Sequence, residues 1–205
     1  MTQVLFTFSK QRNRNGAFFV NGTRLASPMR VTISRPPSSK SQTSSLEPLS
    51  SLKLKRRKVE LTTVRFMMYH KAMTFKDEET AKDILLTKNP RKCKALGRET
   101  KGFRNEIWDE VKLKIVEQGS YLKFTAGEGP TGEKLKQKLL ATGDRELVEA
   151  SRFDRVWGVG FTADNLRKGE NGPAPRGLWG ENLLGKALMS ARRRIREEEA
   201  AQNMP

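Results

Sequence analysis

The chain has 205 residues, 36% of them hydrophobic, enough to bury one ordinary core without recruiting every segment. One cysteine and one histidine exclude an intrachain disulfide and any multi-Cys or multi-His metal cage, and no apolar run approaches the roughly 20 residues that span a bilayer. The net charge of +17 is unevenly placed: residues 1–60 hold 12 Lys and Arg against 2 acids, whereas 61–205 hold 28 against 21.

Residues 1–60 read as a disordered basic arm. From Ser27 to Ser51, 15 of 25 residues are Ser, Thr or Pro, too few apolar groups to offset the ordering entropy. No acid precedes Glu47, the composition of an organelle transit peptide. The run Lys53 to Lys58 suits nuclear import or a nucleic-acid patch, and the bland alternative is an extension without function, including one from a wrongly chosen start. A cytoplasmic protein is expected, with mitochondrial and nuclear destinations left open by the arm.

From residue 61 onward the pattern predicts helices punctuated by glycine. Val64 to Phe75 has no breaker, Asp77 caps a second helix from Glu78 to Leu86, and Pro90 forbids its continuation. Asn105 is expected as the cap of a third helix, with Trp108, Val111 and Ile115 on one face and Gly119 just past the end. Thr131 and Gly143 bracket another, with Leu135, Leu139 and Leu140 as its apolar positions. Glu146 to Ala150 and Arg155 to Phe161 suit short strands or extended loop. The last helix puts Leu184, Leu188, Ala191 and Ile195 on one face and Arg192, Arg193, Arg194 and Arg196 on solvated ones. The expected class is a mainly α domain with few short strands.

The most informative stretch is Thr142 to Phe161, which sets Asp154 and Trp157 three residues apart before Gly158 and Gly160. Glycines there let the backbone approach a planar, charged ligand. The competing reading makes Asp154 a turn acid beside Arg152 and Arg155, and Trp108 and Trp157 packing residues. Asn182, after Gly180, opens the last helix, whose amides are expected to attract phosphate. His70 is read as structural or substrate-contacting rather than as a base, and Cys93 as a bystander whose neighbours Lys92 and Lys94 would lower its thiol pKa if it were exposed.

These motifs resemble the YbiA-like or NADAR domain family between Met67 and Arg194. MMYHKAMTF, KALGRETKGF, the Trp108 helix, KFT at 123–125, TGDRELVEAS, FDRVWGVGF and GLWGENLLGKALMSAR carry the resemblance by their order and spacing. It implies an N-glycosidase of compact, orthogonal, mainly helical fold, acting on phosphoribosyl-amino intermediates of riboflavin synthesis or on ADP-ribosylated bases. It also implies that Asp154 is catalytic and that Trp108 and Trp157 contact substrate, with Gly158 and Asn182 added to the binding residues. No metal and no cofactor are expected. The family's catalytic Glu falls at Val64, and the segment that usually opens the domain is replaced by the arm. Either a degenerate homologue or a gene model with a substituted first exon accounts for this. Glu60 would share the face of Val64 on a helix extended backward, but one turn, about 5.4 Å, displaces it too far to substitute.

Breaking a ribosyl C–N bond builds positive charge at the anomeric carbon and negative charge on the departing base, which suits a carboxylate beside indoles. Two other classes compete. One is a basic nucleic-acid-binding protein, supported by the sequence pI of 10.3. The other is an inactive nucleotide-binding interaction domain. The oligomeric state is open.

Overall fold

The computed structural model describes residues 3–6, 18–20, 23–25, 29–30, 60–61, 63–126, 129–168 and 174–204. Among them are seven α-helices and six short strands paired two by two, so the domain is mainly helical. The strands β1 (Gln3–Phe6), β2 (Phe18–Val20), β3 (Thr23–Leu25) and β4 (Met29–Arg30) fall within the segment read as an arm. β2 and β3 pair with each other, and β4 pairs antiparallel with β5 (Glu60–Leu61). β1 lies parallel to β6 (Glu146–Glu149), with Gln3 opposite Glu146 and Phe6 opposite Glu149. The rest of the arm, with its Ser-rich tract and basic run, lies outside the described residues.

Helix α1 (Thr63–Thr74) and helix α2 (Glu78–Leu86) match the expected spans. Asp77 caps α2: its Oδ1 accepts from the Thr80 amide at 3.1 Å and its Oδ2 from the Lys101 amide at 2.8 Å. Burial would raise this carboxyl, but the amides of Lys101 and Thr80 prevail and hold it below the ordinary value. Glu60 sits in β5, so no backward extension of α1 brings it to the face of Val64.

Pro90 does more than stop α2. With Asn89 as cap, accepting from the Arg91 amide at 2.9 Å, it opens helix α3 (Pro90–Arg98), where its missing N–H costs nothing. Helix α4 (Asn105–Thr125) is capped at Arg104 rather than Asn105 and runs six residues past Gly119. Gly119 is there for packing: a Cβ would meet the buried Phe66 ring at 2.8 Å. Helices α5 (Gly129–Leu140), α6 (Ala163–Lys168) and α7 (Leu183–Gln202) complete the set.

α4 and α7 lie side by side and parallel. The Tyr121 hydroxyl donates to Glu198 at 2.7 Å, and Arg194 donates to Gln118 at 3.1 Å while its guanidinium stacks 3.6 Å above the Tyr121 ring. β6 sits between two cores, since successive strand residues face opposite ways. Leu147 joins Phe124, Leu139, Leu188 and Ile195, while Val148 joins Val159, Ala163 and Leu166. A third cluster, Ala72, Ala81, Ile84 and Cys93, holds α1, α2 and α3 together.

One expectation is corrected, the solvated Arg192; Arg155 to Phe161 takes the loop side of its two readings, and the condition of exposure set for Cys93 is not met. Arg155 to Phe161 forms bends rather than a strand, because its amides and carbonyls are drawn into turns and onto α7. Arg192 is buried, not solvated; it donates to Thr142 Oγ1 at 2.6 Å and to the Arg145 carbonyl at 3.0 Å, pinning the turn before β6. Cys93 is 1% exposed, and burial pushes its thiol up, outweighing the lowering by Arg65 and Lys94.

Candidate functional site

The loop that carries Asp154 and Trp157 leaves β6 at Glu149, a buried carboxylate whose backbone carbonyl accepts from Ser151 at 3.1 Å and from Val159 at 3.0 Å. Within this closed loop, Asp154 Oδ1 accepts from the amides of Val156 at 3.1 Å and Trp157 at 2.7 Å. One carboxylate oxygen thus folds the turn, as an Asp at such a position does. Among the described residues Oδ2 takes no hydrogen bond. Asp154 and Trp157 are half-buried, while Phe153 beside them is 82% exposed under the Arg152 guanidinium, 4.7 Å from its ring.

The other side of the loop is held by α7. Five successive amides, Gly180 to Leu184, donate to the carbonyls of Val159, Arg155, Gly158, Val156 and Trp157 in turn, at 2.7 to 3.3 Å. The orphan donors of Leu183 and Leu184, the first two residues of the helix, are therefore satisfied by the loop. The expectation that they attract phosphate is corrected for Leu183 and Leu184, whose N–H groups are already taken. Two glycines make the approach possible. A Cβ on Gly158 would meet the carbonyls of Glu149 and Asp154 at 2.9 and 3.0 Å, and one on Gly180 would collide with the Arg155 backbone.

Asn182 serves the scaffold. Its backbone is left-handed (φ 53°), and its side chain bridges to β6: Oδ1 accepts from the Glu149 amide at 3.0 Å and Nδ2 donates to the Leu147 carbonyl at 2.9 Å. It is 6% exposed. Gly158 lies at its foot, its carbonyl accepting from the Asn182 amide at 3.3 Å.

Trp108 is half-buried near the start of α4. The parallel register, Gln118 beside Arg194 and Tyr121 beside Glu198, sets its level on α4 at the first turn of α7, the end that carries the Asp154 loop. Lys71 and Phe103 join Trp108 there. The Lys71 ammonium lies 3.9 Å over the Phe103 ring and 5.9 Å from the Trp108 ring, and donates to the Gly97 carbonyl at 2.7 Å. Burial lowers the Lys71 pKa. Neither residue was singled out from the sequence, although both fall inside motifs that were. His70 packs 4.3 Å from Phe66 and 5.2 Å from Tyr69, with its pKa lowered by burial. Val64, in the first turn of α1, is half-buried.

A cavity of about 250 Å³ opens at the other end of α4 and α7, between Tyr121, Phe124, Lys136, Ile195 and Glu198. Its charges are spent on one another, Lys136 on Glu133 and Glu199 and Arg194 on Glu198, so the Asp154 loop remains the better site. Among the described residues no helix is long and apolar enough to cross a membrane.

Residues 27–196 match the NADAR domain. The chain belongs to the NADAR domain family. Its match begins well before residue 61, within the segment read as an arm. Among its relatives is N-glycosidase R617 of Acanthamoeba polyphaga mimivirus, 41% identical over 135 residues that make up 65% of this chain and 71% of that one. N-glycosidase Npun_R5314 of Nostoc punctiforme is 34% identical over 132 residues, 62% of this chain and 71% of that one. Among solved structures, the NMR structure of the E. coli protein YbiA is 25% identical, covers 68% of this chain and 69% of that one, and superposes with a TM-score of 0.49. This NADAR domain is thus related to proteins that bear the name N-glycosidase.

Proposed function

We propose that this NADAR domain binds a ribosyl-base compound, a phosphoribosyl-amino intermediate or an ADP-ribosylated base, and hydrolyses its N-glycosidic bond. The observation that carries the reading is the clamp on Asp154 and Trp157. One carboxylate oxygen fixes the turn and the other is left for chemistry, next to an indole whose backbone is held on both sides. In the reaction the C1′–N bond breaks, a water oxygen bonds to C1′, and the departing nitrogen takes up a proton. Asp154 stabilises the cationic anomeric centre or orients the water, while Trp157 and Trp108 stack on the base and exclude solvent.

Val64 stands where the family resemblance places a Glu, so turnover is limited in this chain while binding persists. The test measures ligand binding and ribosyl-base release for the wild type, Val64→Glu, and Asp154→Asn in each background. Binding in all four, with release raised about 10² to 10⁴-fold by Val64→Glu and abolished by Asp154→Asn, is the expected result. Absence of binding in the wild type and in Val64→Glu, or release indifferent to Asp154, overturns the reading.

A further inference from the structure

Residues 87–104 hold seven Lys or Arg against one acid, Glu99. That is +6 of the +7 carried by residues 61–205, so the rest of that stretch is close to neutral. The concentration centres on α3. Cys93 and Gly97 are buried on its inner side, and Leu96 packs with them. Arg91, Lys94 and Arg98 follow at i, i+3 and i+7 on the outer side, a row about 10 Å long at 1.5 Å per residue. Lys88 and Lys92 flank it, and all five side chains are exposed.

Among the described residues nothing accounts for this row. Among the described residues none of the five forms an ion pair, whereas Arg193, Arg194 and Arg196 on α7 are matched by Glu197, Glu198 and Asp144. The first turn of α3 has Arg91 and Lys92 and no acid, which opposes the helix dipole. Like charges three and four residues apart also cost stability. A rigid, uncompensated row of cations calls for a rigid row of anions.

We propose that the outer face of α3 binds the phosphate backbone of a nucleic acid. A duplex supplies one negative charge per ~1.7 Å of axis, so a 10 Å row meets several phosphates at once. A lipid surface fits less well, because α3 carries no exposed large apolar side chain to insert. The inner side of the same helix reaches Lys71 and, through it, the Trp108 end of α4. The Gly97 carbonyl at the end of α3 accepts from Lys71, which stands over Phe103 and faces Trp108. The inference is independent of the chemistry assigned to Asp154.

The test uses the full chain, so the basic amino-terminal residues stay constant, with a fluorescein-labelled DNA duplex titrated between about 50 and 200 mM salt. Arg91→Glu, Lys94→Glu and Arg98→Glu together are compared with Lys114→Glu, Lys134→Glu and Lys138→Glu, an equal charge change at exposed lysines elsewhere. The α3 variant is expected to lose more than tenfold in affinity and about 3 units of the log–log salt slope, with the control near wild type. Equal losses in the two variants, or none in either, overturn the proposal. So does tighter, α3-dependent binding to vesicles of phosphatidylserine and phosphatidylcholine than to the duplex. Should the triple Glu variant not fold, Gln at the same three positions gives the same comparison with a smaller loss.

Discussion

Asp154 holds the amide of Trp157 at 2.7 Å, and the Trp157 carbonyl in turn accepts from Leu184 at 3.1 Å. The candidate carboxylate and the candidate stacking residue are thus one mechanical unit docked on the start of α7. Asp154→Asn keeps an acceptor at Oδ1 and should leave the melting temperature nearly unchanged. Asp154→Ala removes both turn hydrogen bonds and should cost about 1–3 kcal/mol. Chemical denaturation of the two variants separates scaffold from chemistry, since only the stability of the Ala variant should fall while both lose ribosyl-base release in the Val64→Glu background.

Asn182 makes a sharper stability prediction. Its loss strands the buried Glu149 amide and Leu147 carbonyl, each costing about 1–3 kcal/mol. Asn182→Gly loses these bonds but accepts the left-handed backbone, whereas Asn182→Ala adds about 1 kcal/mol of strain. Urea unfolding should rank wild type above Gly and Gly above Ala. Equal stability of the Gly and Ala variants would mean that the left-handed conformation is not kept in solution.

Lys123 on α4 has its pKa lowered by burial from 10.5 to about 8. The charged form is disfavoured in the fold, so between those two values the unfolded chain binds the extra proton and stability rises with pH. At neutral pH the lysine is charged in both states and burial opposes folding. Lys123→Met should therefore be most favourable relative to the wild type at pH 7, an advantage that shrinks as pH climbs from about 8 toward 10. Matched denaturation curves across that range test it, and a constant difference would place Lys123 in solvent.

The buried Cys93 thiol should resist modification in the native state. A disulfide-exchange reagent is expected to label it only at the rate of local or global opening, accelerating as denaturant is added. Immediate labelling of the folded protein would show that the α1, α2 and α3 cluster is open in solution.

What the sequence could show, and what it could not, follows from the range of the forces involved. α1 and α2 were legible because their signals are local: an unbroken run, then Asp77 at the cap. α3 is not legible because Pro90 looks like a stop, whereas after Asn89 it is a first helical residue. Gly119 suggested a helix end, but the Phe66 ring fills the space a side chain would need, a contact across 53 positions. Arg155 to Phe161 has strand-like composition, yet its carbonyls serve the amides of residues 180–184. Asn182 reads from the sequence only as a binding residue at the start of the last helix; its side-chain partners at 147 and 149 become neighbours only when α7 docks on β6. The family resemblance points to the Asp154 and Trp157 pair, and the structure ties the two into one turn.

The chain leaves the Asp154 loop at Val159 and Gly160 and comes back to it at Gly180 and Glu181, where the returning amides fasten onto the carbonyls of Val159 and Arg155. The excursion between is closed at its neck, while its own Ala163 and Leu166 belong to the core around Val148, so only positions that the core does not use can change without transmitting strain to the carboxylate or the indole. Such a neck gives a lineage a way to change what lies beside the candidate carboxylate while leaving its turn alone: new contacts can be tried at those positions of the side loop that the core does not use.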